Sequence, residues 1–314
     1  MLRAVFLAMA TILVWGVTFI NTRALLGDFS ALEVQVLRFA LAYAALWAIC
    51  PRRLAFAWPT ERLFALQGLT GVAVYQLMEN CAIHYTNASN VSILVALNPV
   101  ITAVLARVFC REKRLTPLFF IGFSVAITGV AMVSLSGIRE FHFRPLGDLM
   151  AVTAMLSWGF YTILVSKSNA LAVDPGVVIR RTFFWALVLT FPIVLFGLTP
   201  AGATALGGSL KVTLAPSTNA ARFTSPLNLV NFGFLGLLAS AGCFVWWSRA
   251  CKAIGAVRCT VGLYLIPAIT VVFARIFLGE TLTAVSAAGA LLTVVGVILS
   301  GWRSRRTKIS CQKA

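Results

Sequence analysis

Of the nine acidic residues in this 314-residue chain, only Glu79 falls well inside a long apolar run. A carboxylate surrounded by hydrocarbon is expensive and tends to mark an ion or solute path. Tyr75 lies four residues earlier on the same helical face, and Asn80 and His84 are close along the same helix. Glu79 is therefore a candidate proton carrier and solute ligand. The competing reading is a structural carboxylate bonded to Asn80 or to an arginine of a facing helix. A second set is aromatic: Trp15, Trp158, Tyr161, Trp246, Trp247 and Tyr264 would make a wall for a planar or cationic solute, or else pack the core or anchor at the lipid interface. Trp158 and Tyr161 are three apart and share a helix face. Asn98-Pro99 and Ile266-Pro267 stand midway along apolar runs. A proline there frees a carbonyl one turn earlier and bends the helix, giving a solute ligand, a gating hinge or a static kink. Asn98 adds a polar side chain at the same depth. Arg38 and Arg181 lie roughly 10 Å inside their helices at 1.5 Å per residue. Each would snorkel or bond to neighbouring helix ends, or meet an anion.

These side chains need elements that lipid will accept. The chain is 60% hydrophobic and 11% charged, where a soluble domain carries roughly 25% charged residues. So few charges cannot coat a soluble surface, so the expected fold is an all-α polytopic membrane protein. Ten spans are predicted, near 4–26, 31–50, 63–85, 88–109, 116–136, 147–167, 175–197, 229–250, 255–277 and 283–302. Ala8-Met9-Ala10 mimics a signal-peptide cleavage triplet but comes too early, so the first span is read as uncleaved. Most connections are short. The exception, 198–228, is rich in Gly, Pro, Ser and Thr and is expected outside the membrane and mobile.

The net charge of +17 does not point to nucleic acid, because the basic residues form short clusters between apolar runs. With the N-terminus inside, fifteen Lys and Arg face the cytoplasm (Arg3; Arg52, Arg53, Arg62; Arg111, Lys113, Arg114; Lys167; Arg249, Lys252; Arg303, Arg305, Arg306, Lys308, Lys313). Four face outward: Arg139, Arg144, Lys211 and Arg222. This positive-inside bias places both termini, including the basic tail 303–314, in the cytoplasm.

The chain also repeats itself. Trp15-Gly16 recurs as Trp158-Gly159, and Arg38 as Arg181, at an offset of 143. Beyond the long loop the offset is 168: Pro99 matches Pro267, Arg107 matches Arg275 and Glu112 matches Glu280. With one residue lost, Gly122 and Gly129 match Gly289 and Gly296, spacings that read as close helix packing. The halves are 1–138 and 139–302. Five spans is an odd number, so the second half is inverted, and two such bundles can open a central site to either face in turn. The repeat counterpart of Glu79 is Trp247, which makes any proton site one-sided.

These residues resemble the EamA-type drug/metabolite transporter superfamily over about 4–302. The resemblance rests on the two Trp-Gly pairs and on the run Glu79-Asn80-Cys81-Ala82-Ile83-His84-Tyr85-Thr86-Asn87-Ala88-Ser89-Asn90 leading to Asn98-Pro99. It rests also on Arg275-Ile276-Phe277-Leu278-Gly279-Glu280. The first-half counterpart, Cys110-Arg111-Glu112, lacks the turn glycine. The resemblance implies ten spans, cytoplasmic termini, a bacterial inner membrane, and a cavity lined mainly by the third, fourth, eighth and ninth helices. Trp247 and Tyr264 fall on two of those. It implies secondary transport of amino acids or similar metabolites, with a small-molecule solute and the lipid bilayer as partners. An importer or antiporter of phosphorylated or nucleotide-sugar solutes would need several cavity cations, and only Lys252 and Arg258 lie near the relevant helix ends.

A membrane-embedded enzyme would need several converging acids, bases or metal ligands, which two histidines and one intramembrane acid do not supply. No P-loop is present. The seven cysteines form no C-x-x-C pair, so neither disulfide framework nor metal site is expected, and no cofactor. The sequons Asn87-Ala88-Ser89 and Asn90-Val91-Ser92 lie in a tight outer turn and carry little weight.

Overall fold

The computed structural model describes residues 2–85, 97–110, 117–135, 145–171, 173–198, 219–266 and 284–301, together with 91, 94, 268, 269, 272 and 273. Pro267, both sequons, the link 111–115, the motif from Arg275 to Glu280 and the tail from 303 onward lie outside the described residues.

Every described element is helical. In chain order these are α1 (Leu2–Leu25), α2 (Ala31–Ile49), α3 (Trp58–Gly68), α4 (Tyr75–Tyr85), α5 (Asn98–Cys110), α6 (Pro117–Leu135) and α7 (Pro145–Ser168). They continue with α8 (Pro175–Leu198), α9 (Pro226–Gly233), α10 (Cys243–Ile254), α11 (Ala256–Val261) and α12 (Ala284–Gly301). Among the described residues five helical runs are long and apolar enough to cross a membrane: α1, α2, α7, most of α8 and the run Pro226–Ile254. Three shorter apolar helices accompany them in α5, α6 and α12. The molecule is a multi-pass helical membrane protein.

Local chemistry sets the helix starts. Pro117, Pro145, Pro175 and Pro226 each open a helix, where the missing N–H costs nothing and the fixed φ suits the first turn. Ser30 caps α2 in a reciprocal box with Glu33: the Glu33 N–H donates to the Ser30 hydroxyl at 3.2 Å, and the Ser30 N–H donates to the carboxylate at 2.9 Å. Gly255 ends α10 at φ +92°, a conformation that a Cβ would strain.

Two helical runs are not plain α-helices. A π-helical segment, Leu69–Val74, joins α3 to α4, and a second, Phe234–Gly242, joins α9 to α10. In both, the wider turn lends carbonyls to other helices. Ser157 Oγ donates to Thr70 O at 2.7 Å, Gln35 Nε2 to Ala73 O at 3.3 Å and Trp15 Nε1 to Ala239 O at 3.0 Å.

Several expectations are revised. The span predicted at 63–85 starts at Trp58, and the one at 229–250 runs from Pro226 to Ile254. The end of the predicted loop 198–228 is structured. Asn219 caps a 3₁₀ turn over Ala220–Thr224, and Arg222 in that turn reaches α2. Pro99 sits in the first turn of α5 with Leu97 in a turn before it, so it opens a helix there. The internal proline among the described helices is Pro192 of α8.

Small residues let backbones touch. A Cβ on Gly129 of α6 would lie 2.5 Å from Gly289 O and Thr293 N of α12, and one on Gly122 would strike Ser300 and Gly296. A Cβ on Gly16 would strike Ile269, and one on Gly159 would strike Ile101 and Leu105. The main core is aromatic and central, with Trp15, Phe39, Trp158, Tyr161, Phe183, Phe244 and Trp247 all buried.

Candidate functional site

Glu79 is on α4, one turn beyond the π segment, and is 8% exposed. Its Oε1 accepts from Tyr75 Oη at 2.6 Å and its Oε2 from Gln76 Nε2 at 2.9 Å. Gln76 Nε2 also reaches Asn80 Oδ1 at 3.1 Å, and Asn80 in turn donates to Ala31 O of α2. From α2, Arg38 enters the same network. Its Nη1 donates to Gln76 Oε1 at 3.2 Å and its Nε to Ser240 Oγ of the second π segment at 2.6 Å. The link between Arg38 and Glu79 therefore runs through the Gln76 carboxamide. Each buried charge is hydrogen-bonded, the condition for keeping it in an apolar bundle.

This network forms one wall of a central cavity with about 510 Å³ of empty space, its open side included. α1 contributes Trp15, Thr18 and Phe19, and α2 contributes Arg38. α4 contributes Tyr75, Gln76 and Glu79, and α5 contributes Asn98. Met155 and Trp158 come from α7, Phe244 from α10, and Leu263 and Ile266 from the segment after α11. The aromatic lining is continuous. Trp15 meets Trp158 edge-on at 5.3 Å and 84°, and Tyr75 lies 4.7 Å from Trp158. Asn98 accepts from Thr102 Oγ1 at 3.1 Å and rests its amide 3.8 Å from Met155 Sδ.

Of the residues singled out in the sequence, Glu79, Tyr75, Asn98, Trp15 and Trp158 meet at this cavity. Trp247 and Tyr161 lie one layer behind it. Trp247 packs 5.2 Å from Trp15, and Tyr161 packs 4.9 Å from Trp158 with its ring over Gly71. Tyr264 belongs to a separate core with Ala103, Phe119 and Ala126, 6.4 Å from Phe123. Arg38 lines the cavity, whereas Arg181 does not. Arg181 pairs with the fully buried Glu61 at the start of α3, at 2.5 Å. Gln76, Met155 and Phe244 were missed. The signal for Gln76 was available, since it is a polar residue in the same apolar run, three before Glu79. Nothing in their own sequence neighbourhood marks Met155 or Phe244.

A buried polar patch with aromatic walls, at the centre of apolar helices, is the kind of site by which a membrane transporter holds a small solute. The profile of the EamA-like transporter family matches residues 2–135 and again residues 145–302. The chain belongs to that family and is a transporter, not an enzyme. A protein of Streptantibioticus cattleyicolor described as a probable terminal-alkyne amino-acid exporter is 27% identical over 309 residues, covering 96% of this chain and 94% of the relative. A probable amino-acid metabolite efflux pump of Salmonella typhimurium is 25% identical over 305 residues, covering 96% of each. A solved crystal structure superimposes with a TM-score of 0.72 at 18% identity, over 96% of this chain and 98% of that one. That likeness speaks to the fold alone.

Proposed function

We propose that the protein is a secondary transporter that exports small amino-acid-like metabolites across the bacterial inner membrane by alternating access, with Glu79 as its proton-coupling group. The observation that carries this reading is Glu79 itself: a buried carboxylate facing an aromatic cavity inside a helical bundle. A group there can exchange a proton or a cation with whichever face the cavity opens to. The relatives described as exporters of amino-acid metabolites support the solute class. Arg38 is the cation among the described lining residues, so a phosphorylated or nucleotide-sugar solute would bring more negative charge than the wall balances.

Ten spans in two inverted five-span halves, 1–138 and 139–302, with both termini cytoplasmic, complete the proposal. Its support is the paired internal geometry. Gly16 packs on Ile269 while Gly159 packs on Ile101, and these pairs are related by the offsets of 143 and 168. The second offset carries the π segment at 69–74 onto the last part of the one at 234–242. Two opposed bundles of this kind exchange shapes around a central site. Pro267, the repeat counterpart of Pro99, is the proposed hinge, while Pro99 stands at the start of α5.

The test is flux in liposomes that hold a pH-sensitive dye, with mixed amino acids and aromatic metabolites added outside. Wild type moves solute together with protons, and Glu79→Gln loses the proton flux. Solute movement that persists unchanged in Glu79→Gln, with no proton movement in either protein, makes Glu79 structural and the protein a facilitator.

A further inference from the structure

The polar wall of the cavity has an internal order. Arg38 donates to the oxygen of the Gln76 carboxamide, and the nitrogen of the same carboxamide donates to Glu79. One neutral dipole thus stands between a cation and an anion, each facing the pole that suits it. All three side chains are at least nine-tenths buried, at 4%, 3% and 8% exposure. The described bonds of Arg38 use Nε and Nη1, and none of the described residues engages Nη2. Trp158, 4% exposed on the cavity lining, has an indole N–H with no partner among the described residues. An indole nitrogen only donates, so it too calls for an acceptor.

A free α-amino acid carries the same two poles as Gln76, as full charges and the same way round: a carboxylate for the guanidinium and an ammonium for the carboxylate. Resting on the transporter reading above, we propose that Arg38, Gln76 and Glu79 form a zwitterion-recognition strip. Arg38 takes the carboxylate of an α-amino acid, Glu79 takes its ammonium, and Gln76 occupies the place of the solute head until it arrives. The solute side chain then lies against Trp15, Tyr75 and Trp158. A solute with only one of the two charges leaves the other protein charge without its match, which is the costly case for a buried group. The strip therefore selects for the pair of charges, and the aromatic walls accept varied side chains.

The experiment compares three probes that share a phenyl group: phenylalanine, phenethylamine, which lacks the carboxylate, and 3-phenylpropionate, which lacks the ammonium. A matching set with an isobutyl group (leucine, isopentylamine and 4-methylpentanoate) repeats it. Binding to the purified protein in micelles is read by calorimetry, and flux of phenylalanine and leucine is read in proteoliposomes. Wild type is expected to bind at least one amino acid tenfold or more tighter than both of its single-charge analogues. Arg38→Gln should bring amino acid and amine within about threefold while the preference over the acid remains, and Glu79→Gln should do the reverse; a merely structural role would not split the two ratios. The wild-type comparison stands even if a variant does not fold. A single-charge analogue that binds as tightly as its amino acid overturns the strip, as do variants that shift both ratios equally. If amino acids cross the membrane without that preference, the strip fails and the transporter reading stands. If no amino acid binds or crosses, both fail.

Discussion

Replacing either member of the Glu61–Arg181 pair should separate two costs that the geometry makes unequal. Glu61 at the start of α3 is wholly buried and accepts three donors: Arg181 Nε at 3.0 Å, Arg181 Nη2 at 2.5 Å and Trp185 Nε1 at 2.6 Å. Removing one partner of a buried ion pair costs about 3–5 kcal/mol, because the other charge is stranded. In Glu61→Gln the stranded group is Arg181. Its side chain is 22% exposed against 0% for Glu61, so it recovers part of its hydration, and the cost falls near the low end, about 3 kcal/mol. In Arg181→Gln the stranded group is Glu61 with only Trp185 left to it, and the cost falls near about 5 kcal/mol. The double variant removes both charges and should cost well under the sum, with a coupling of about 2–3 kcal/mol. The assay is unfolding of the purified protein in dodecyl maltoside micelles titrated with sodium dodecyl sulfate, followed by tryptophan fluorescence. Additivity within about 0.5 kcal/mol, or a larger loss in Glu61→Gln than in Arg181→Gln, would refute the reasoning.

The same assay checks other contacts. Arg222→Gln removes the 2.6 Å pair with Glu33 and the bond to Asp28 O, and should destabilise by about 3 kcal/mol, whereas Ser30→Ala loses only the cap and should cost about 1 kcal/mol. Gly129→Ala drives a Cβ to 2.5 Å from the α12 backbone and should cost about 1–3 kcal/mol, while Gly233→Ala, with nothing within 4 Å, should be neutral or stabilising. Trp158→Phe shrinks a core ring packed on Trp15, Tyr75 and Tyr161 and should cost about 0.5–3 kcal/mol; by removing an indole N–H that has no partner among the described residues, it should also weaken calorimetric binding of phenylalanine severalfold. Glu79→Gln in liposomes should abolish solute-linked proton movement, as read by the trapped dye.

What was legible in the sequence follows from how rare each signal is. In a chain that is 60% hydrophobic, a mid-run carboxylate is a rare event, so Glu79 stood out, and its tyrosine partner followed from helical spacing. The glycines of α6 and α12 were legible because two turns of regular helix project them onto one face. Aromatic residues are common here and serve core and cavity alike. Spacing therefore placed Trp158 and Tyr161 on one face without telling that one lines the cavity and the other backs it. Glu61 falls just before the span predicted at 63–85, and only the earlier helix start at Trp58 carries it to Arg181. Both π segments were invisible, since apolar residues lie all round these helices and the period leaves no trace of one inserted residue.

That insertion has a consequence for Glu79. Between the anchor Glu61 makes with Arg181 and the cavity wall at Gln76 and Glu79, the helix holds one residue more than regular α-geometry would seat. Each residue turns an α-helix by about 100°. Were 69–74 regular, with α3 held where Arg181 and Trp185 hold it, Glu79 would point about 100° round the axis, away from Arg38 and toward a neighbouring helix. The aim of the carboxylate is thus encoded in a count of residues rather than in the identity of any one between 69 and 74. Apart from Gly71, where a Cβ would strike the Tyr161 ring, side chains there can change with the aim kept, whereas losing a single residue would turn Tyr75, Gln76 and Glu79 out of the cavity while leaving each of them intact.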